Sequence, residues 1–205
     1  DCTVELDGLE LGKLSLGVPG RHNVANALGA LAVAMRAGVD FHRAAAAASD
    51  FRGTRRHFEV IGEVRRDGKP ITIVDDYAHH PTEVRATVAA ARQRYGGRRL
   101  VGCFQPHTYS RTTYLLEEWR TCFESLDVLY MLRTYAARET SEAGMGAEAL
   151  AAEISSPAPI SVESIAEAVS RIAGELQPGD VLLTLGAGDV TEVAPGVLRE
   201  LGGRS

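Results

Sequence analysis

From residue 54 onward the chain alternates short apolar or β-branched runs with stretches of helical period, and that alternation restricts the fold more than any other feature. Phe58 to Val64 and Ile71 to Val74 read as strands around the turn Asp67-Gly68. Further strands are expected at Leu100 to Phe104, Val128 to Leu132, Pro159-Ile160 and Val181 to Leu185. Between them lie helical stretches near 81–95, 110–124 and 145–153. A stripe of Ile165, Val169, Ile172 and Leu176 follows, opened by Ser161 or Ser164, and a last helix runs from Val190 to about Leu201. Strands joined through helices of roughly ten to fifteen residues call for right-handed crossovers and a mainly parallel sheet. The expected class is α/β, with a Rossmann-like, doubly wound domain over 54–205.

Residues 1–53 are patterned differently. Two short strands flank Asp7-Gly8, a hairpin signal, and Pro19-Gly20 breaks the chain before Asn23. Val24, Leu28, Leu31, Ala32 and Met35 recur at helical spacing up to Gly38, and the alanine run 44–48 forms a second helix capped by Asp40. One hairpin and two helices do not complete a domain, so this stretch reads as the tail of one. Together with the opening on Asp1, that suggests a chain cut from something longer.

The densest chemistry lies in Val74-Asp75-Asp76-Tyr77-Ala78-His79-His80-Pro81-Thr82-Glu83, where a strand hands over to a helix. In an open α/β sheet the carboxyl ends of the strands face the ligand crevice. Pro81 suits the first helical position, so the amides after it are expected to face an anion. Other strand-to-helix loops add Gln105, His107, Tyr109, Ser110 and Arg111, then Arg133, Tyr135, Arg138 and Glu139, then Gly186-Ala187-Gly188-Asp189. Acids, imidazoles and guanidinium groups sharing one edge suit an anionic, hydrogen-bonding ligand. The histidines lack a repeating metal-ligand spacing, so hydrogen bonding to a carboxylate or phosphate is favoured over metal ligation.

Bulk properties exclude other classes. A net charge of −5 and a pI near 5.7 give no basic face for nucleic acid. No apolar run approaches a membrane span. Three scattered cysteines without CxxC spacing fit a reducing cytoplasm better than a disulfide framework or zinc site. No Walker loop is present: around Gly8, Gly12 and Lys13 the glycine gap is too short, and Leu14 stands where Ser or Thr would hold magnesium. A dinucleotide-binding GxGxxG is also lacking.

Taken together, Gly20-Arg21-His22-Asn23-Val24-Ala25-Asn26-Ala27, Phe51 to Phe58, Asp75 to Glu83, Phe104-Gln105-Pro106-His107-Thr108-Tyr109-Ser110-Arg111-Thr112, Tyr135 to Glu139 and Gly186 to Asp189 resemble the MurC class of Mur ligases, in that family's order and over nearly the whole chain. The resemblance implies that 1–53 is the carboxy-terminal part of the central, ATP-binding domain and 54–205 the carboxy-terminal Rossmann-like domain. The amino-terminal domain and the phosphate loop would lie in segments missing here, and the fragment alone is expected to be inactive. It further implies an ATP-dependent cytoplasmic ligase of peptidoglycan precursor synthesis, joining the lactyl carboxylate of UDP-N-acetylmuramate to L-alanine through an acyl phosphate. ATP and Mg2+ would be its cofactors, with the metal ligands mainly outside this chain. By position in the motifs, His22, Asn26, Arg56 and Asp76 would hold the nucleotide. His79, His80 and Asp76 would be catalytic, and Tyr77, His79, His107 and Arg111 would meet substrate. His57 departs from the family's usual Arg-Arg-Phe, and an imidazole near pH 7 grips phosphate poorly. Gly53-Thr54 is the expected hinge. Two other readings are a ligase attaching recycled murein peptide to the same sugar nucleotide and a non-catalytic Rossmann-like binding module.

Overall fold

A computed structural model describes residues 1–203 and divides the chain into two compact units, Asp1–Thr54 and Arg55 onward. The first unit pairs β1 (Cys2–Leu6) and β2 (Leu9–Leu14) in an antiparallel hairpin, followed by α1 (Arg21–Arg36) and α2 (Phe41–Asp50). Asp40 caps α2 by accepting from the Arg43 amide. Gly38 ends the preceding helix with a positive φ of 89°, and its amide donates to the Met35 carbonyl. Val4, Leu14, Leu31, Phe41, Ala44 and Ala45 make a small core.

The second unit is a six-stranded sheet between two helical layers. Its strands are β3 (Glu59–Arg66), β4 (Lys69–Asp76), β5 (Leu100–Phe104), β6 (Val128–Leu132), β7 (Ile160–Val162) and β8 (Val181–Leu185), in the order β3-β4-β8-β5-β6-β7. Only β3 is antiparallel, bound to β4 as a hairpin through Asp67-Gly68. Alternation along the strands splits the core in two. Val74, Leu100, Phe104, Leu183 and Leu185 face α3 (Pro81–Tyr95) and α6 (Ala147–Glu153). Ile71, Ile73, Val101, Cys103 and Leu182 face α7 (Ile165–Glu175) and α8 (Val193–Gly202). Ser164 rather than Ser161 caps α7, and a 3-10 turn over Asp189–Glu192 precedes α8.

One expected helix differs. The stretch near 110–124 holds two short helices, α4 (Tyr109–Tyr114) and α5 (Leu116–Trp119), and then turns. Trp119, Cys122, Phe123 and Leu126 are all buried there at the i, i+3, i+4, i+7 spacing of one helical stripe, so the core contacts of a helix are kept although the backbone runs on through turns. Cys103 and Cys122 are buried free thiols, and burial pushes the Cys103 thiol up to about 12, whereas Cys2 is partly exposed.

Because β8 is inserted between β4 and β5, the chain leaves β4 for one face of the sheet and leaves β8 for the other. The carboxyl ends of these three strands therefore form the crevice of a doubly wound sheet. Among the described residues no helix is long and apolar enough to cross a membrane.

Candidate functional site

Asp75 and Asp76 end β4 and point to opposite faces, as strand period demands. Asp75 is 1% exposed. Its Oδ1 accepts from the Thr184 hydroxyl (2.6 Å), and its Oδ2 accepts from the Thr191 hydroxyl (3.0 Å) and Arg56 Nε (3.0 Å). Arg56 also donates to the Gly186 carbonyl (2.7 Å) and lies over the Tyr77 ring at 5.0 Å. Its Nη1 stays unbonded among the described residues, so the guanidinium is fixed on one side and keeps donors for a ligand.

Asp76 does not sit on the rim as expected. It is 8% exposed, and its oxygens accept from the Phe58 amide (2.8 Å) and the Ala78 amide (2.8 Å). Desolvation raises its pKa, against the lowering effect of those two amides. The carboxylate staples the Arg56–Phe58 turn to the end of β4, an arrangement helped by the Tyr77 amide donating to the Arg56 carbonyl (2.6 Å).

The expected open amides at the start of α3 are also already bonded. Pro81 does occupy the first turn, but His80 is the N-cap, its Nδ1 accepting from the Thr82 amide (3.2 Å). Glu83 Oε2 accepts from the His79 and His80 amides (3.0 and 3.1 Å). This is a capping box with histidine in the place of serine or threonine. A carboxylate already sits where an anion would, and His80 is tied to the helix start by one ring nitrogen. Proline followed two residues later by glutamate was the signal available in the sequence.

His79, Tyr77 and His107 do come together. Centroids of Tyr77 and His79 lie 5.1 Å apart, those of His79 and His107 6.0 Å, and those of His107 and Tyr135 5.5 Å with the last pair stacked at 10°. This row of rings runs across the ends of β4, β8, β5 and β6. Burial lowers the pKa of His107 and the adjacent Arg111 lowers it further, so its ring is neutral at pH 7. Arg111 Nη1 donates to the His107 carbonyl (3.0 Å) and, among the described residues, pairs with no carboxylate. It also lines an open depression of about 540 Å³ with His80, Ser110, Tyr114 and Leu115.

Gln105 joins three loops: its side-chain amide donates to Asp189 (2.6 Å) and the Arg133 carbonyl (3.4 Å) and accepts from the Val190 amide (3.1 Å), and its backbone N–H continues the ladder to Leu185. Gly188 must be glycine here. A Cβ would lie 2.4 Å from the Gln105 oxygen and 2.7 Å from the Tyr135 ring. These supporting contacts, with Thr184 and Thr191 beneath Asp75, were not assigned roles from sequence, because they depend on strand order.

His22 and Asn26 belong to the first unit, one turn apart on α1 and so on one face. Asn23, not Asn26, bonds the backbone, donating to the Pro19 carbonyl (2.7 Å), and the Asn26 amide has no partner among the described residues. A free amide beside a half-buried imidazole fits the edge of a heterocyclic base. Magnesium fits less well. Asp75, Asp76, Asp189 and Glu139 are all bonded to donors already, and among the described residues no three metal-ligating side chains cluster.

Comparison with known proteins gives a consistent picture. Residues 55–188 match the family described as Mur ligase, glutamate ligase domain. The UDP-N-acetylmuramate–L-alanine ligase of Roseiflexus castenholzii is 45% identical over 98% of this chain and 40% of its own length. The chain thus spans about 40% of the length of such curated relatives. Among solved structures, the UDP-N-acetylmuramate-alanine ligase of Thermotoga maritima aligns over 99% of this chain and 43% of its own, with a TM-score of 0.82 and 24% identity, a likeness of fold. A murein peptide ligase of Psychrobacter arcticus aligns over 92% of this chain and 38% of its own, with a TM-score of 0.66 and 26% identity.

Proposed function

The chain belongs to the Mur ligase family, and on that footing we propose that it is the carboxy-terminal part of an ATP-dependent cytoplasmic ligase that joins L-alanine to the lactyl carboxylate of UDP-N-acetylmuramate. In this reading 1–53 completes a central ATP-binding domain, 54–205 is the closing Rossmann-like domain, and the 205 residues alone do not turn over. The observation that carries the reading is the row of rings along one sheet edge, with Arg111 beside it and free of any carboxylate among the described residues, in a chain 45% identical to proteins bearing that ligase name.

Amide formation in water needs the carboxylate activated. ATP would supply that by phosphorylating it, with ADP leaving, and the amine would then attack the acyl carbon and expel phosphate. What this chain contributes is positioning and charge. Arg56, held by Asp75 and Gly186, turns its free donors toward phosphate oxygens, and His22 and Asn26 take the adenine. Arg111 offers a forked donor set to a carboxylate. His107 and His79, with Tyr77 beside them, are the ring groups at the edge able to accept a proton from an ammonium. His80 and Asp76 hold the backbone that presents them, so their effect on catalysis is exerted through their neighbours. Magnesium would come with the nucleotide, on ligands outside this chain.

The test is acceptor choice in the full-length protein. With ATP and UDP-N-acetylmuramate, phosphate release is expected on adding L-alanine. Release only with a recycled tripeptide assigns the murein peptide reading instead, and release with neither overturns both.

A further inference from the structure

The segment Tyr135–Glu139 after β6 is not absorbed by the roles above, yet it grips the arm that carries His107 and Arg111 in three places. The Tyr135 ring stacks on His107, and the Tyr135 amide donates to the Pro106 carbonyl (2.8 Å). The Glu139 carboxylate accepts from the Thr108 hydroxyl (2.7 Å), the Ser110 amide (2.9 Å) and the Ser110 hydroxyl. These donors hold Glu139 well below the usual carboxylate range, at about 2, so it is ionised throughout the working range. The turn that aims it is tight: the Glu139 amide donates to the Ala136 carbonyl (2.9 Å), and Ala137 takes a left-handed φ of 53°, a conformation costly for alanine.

A carboxylate with three donors from one short segment fixes that segment's path. Thr108 is the N-cap residue of α4, and its carbonyl accepts from the Thr112 amide (3.0 Å) and hydroxyl (2.7 Å). Arg111 lies within the same turn and bonds the His107 carbonyl. Shifting Glu139 would therefore move His107 and Arg111 together relative to His79, which is carried by a different loop.

We infer that Glu139 is a positioning residue that sets the geometry of the His107–Arg111 arm for the amino-acid acceptor, without itself touching substrate. The inference deepens the ligase reading and rests on it for the identity of the acceptor. Glutamine at 139 keeps the shape but turns one acceptor into a donor facing the Ser110 amide or a hydroxyl. In the full-length ligase, E139Q is expected to raise KM for L-alanine about tenfold while KM for ATP changes by less than about twofold. Because the Ser110 hydroxyl is one of the donors that Glu139 holds, the effects of E139Q and S110A should be less than additive in the double variant E139Q/S110A. A second readout needs no substrate. With histidine-selective labelling, the His107 ring protons should carry the upfield ring-current shift of a ring stacked on Tyr135, and E139Q should reduce it. A parallel rise in both KM values with a lowered Tm, an additive double variant, or an unmoved His107 shift overturns the inference. If wild-type enzyme releases no phosphate with L-alanine, the ligase reading fails alone, and the His107 shift still decides the role of Glu139.

Discussion

The two ends of the main sheet both carry arginines, but they use them in opposite ways. At the amino ends of the strands, Arg98 donates to the carbonyls of Gly179, Pro70 and Asp180 and to the Thr72 hydroxyl, at 2.6 to 3.0 Å, and stacks on Tyr95. Arg99 pairs with Asp180, and Arg92 with Asp127 and two carbonyls. At the carboxyl ends, Arg111 is held by one carbonyl, Arg138 has no partner among the described residues, and Arg56 is anchored on one side only. A guanidinium ringed by backbone acceptors spends its donors on joining strands. One left with free donors joins no strands and still has hydrogen bonds to offer.

Substitutions can break this contrast, and the largest loss of stability should come from the amino end. Arg98→Ala leaves three carbonyls without a charged donor and is expected to cost about 3 kcal/mol, measured by denaturant unfolding. A loss below 1 kcal/mol, roughly the worth of one ordinary hydrogen bond, would mean that water replaces the guanidinium and the contrast is overstated. Next is Asp76→Ala, which orphans the Phe58 and Ala78 amides and should cost about 2 kcal/mol. Unchanged stability with lost turnover would return Asp76 to the ligand-binding set. Smallest is Arg111→Ala, expected to shift stability by less than about 0.5 kcal/mol while sharply reducing phosphate release by the full-length enzyme. A large drop in Tm would place Arg111 with the amino-end arginines.

Most of the architecture was legible because the strands obey their period and the crossovers are long. Ile71 and Ile73 face one layer and Val74 the other, as their alternation requires. In the region that departed, 110–124, Trp119, Cys122 and Phe123 keep their helical spacing and are buried, so the pattern marks the core face but not the break between the two short helices. At the candidate site, residue types and their shared edge could be read from the chain, since βα loops of a parallel sheet open the same way. The duty of each side chain could not. Asp75 and Asp76 are adjacent and chemically identical, yet one braces Arg56 and the other staples two amides. His79 and His80 divide likewise, one lying in the row of rings and the other closing a helix start. Strand pleat and the partner across the sheet decide such pairs, and neither is written locally.

The hidden thiols offer a practical handle. Since Cys103 and Cys122 lie inside the sheet unit and Cys2 lies on the opening hairpin, a maleimide fluorophore should attach to this chain at Cys2 alone without any engineering. A dye there would report on the first unit alone and leave the sheet unit unlabelled.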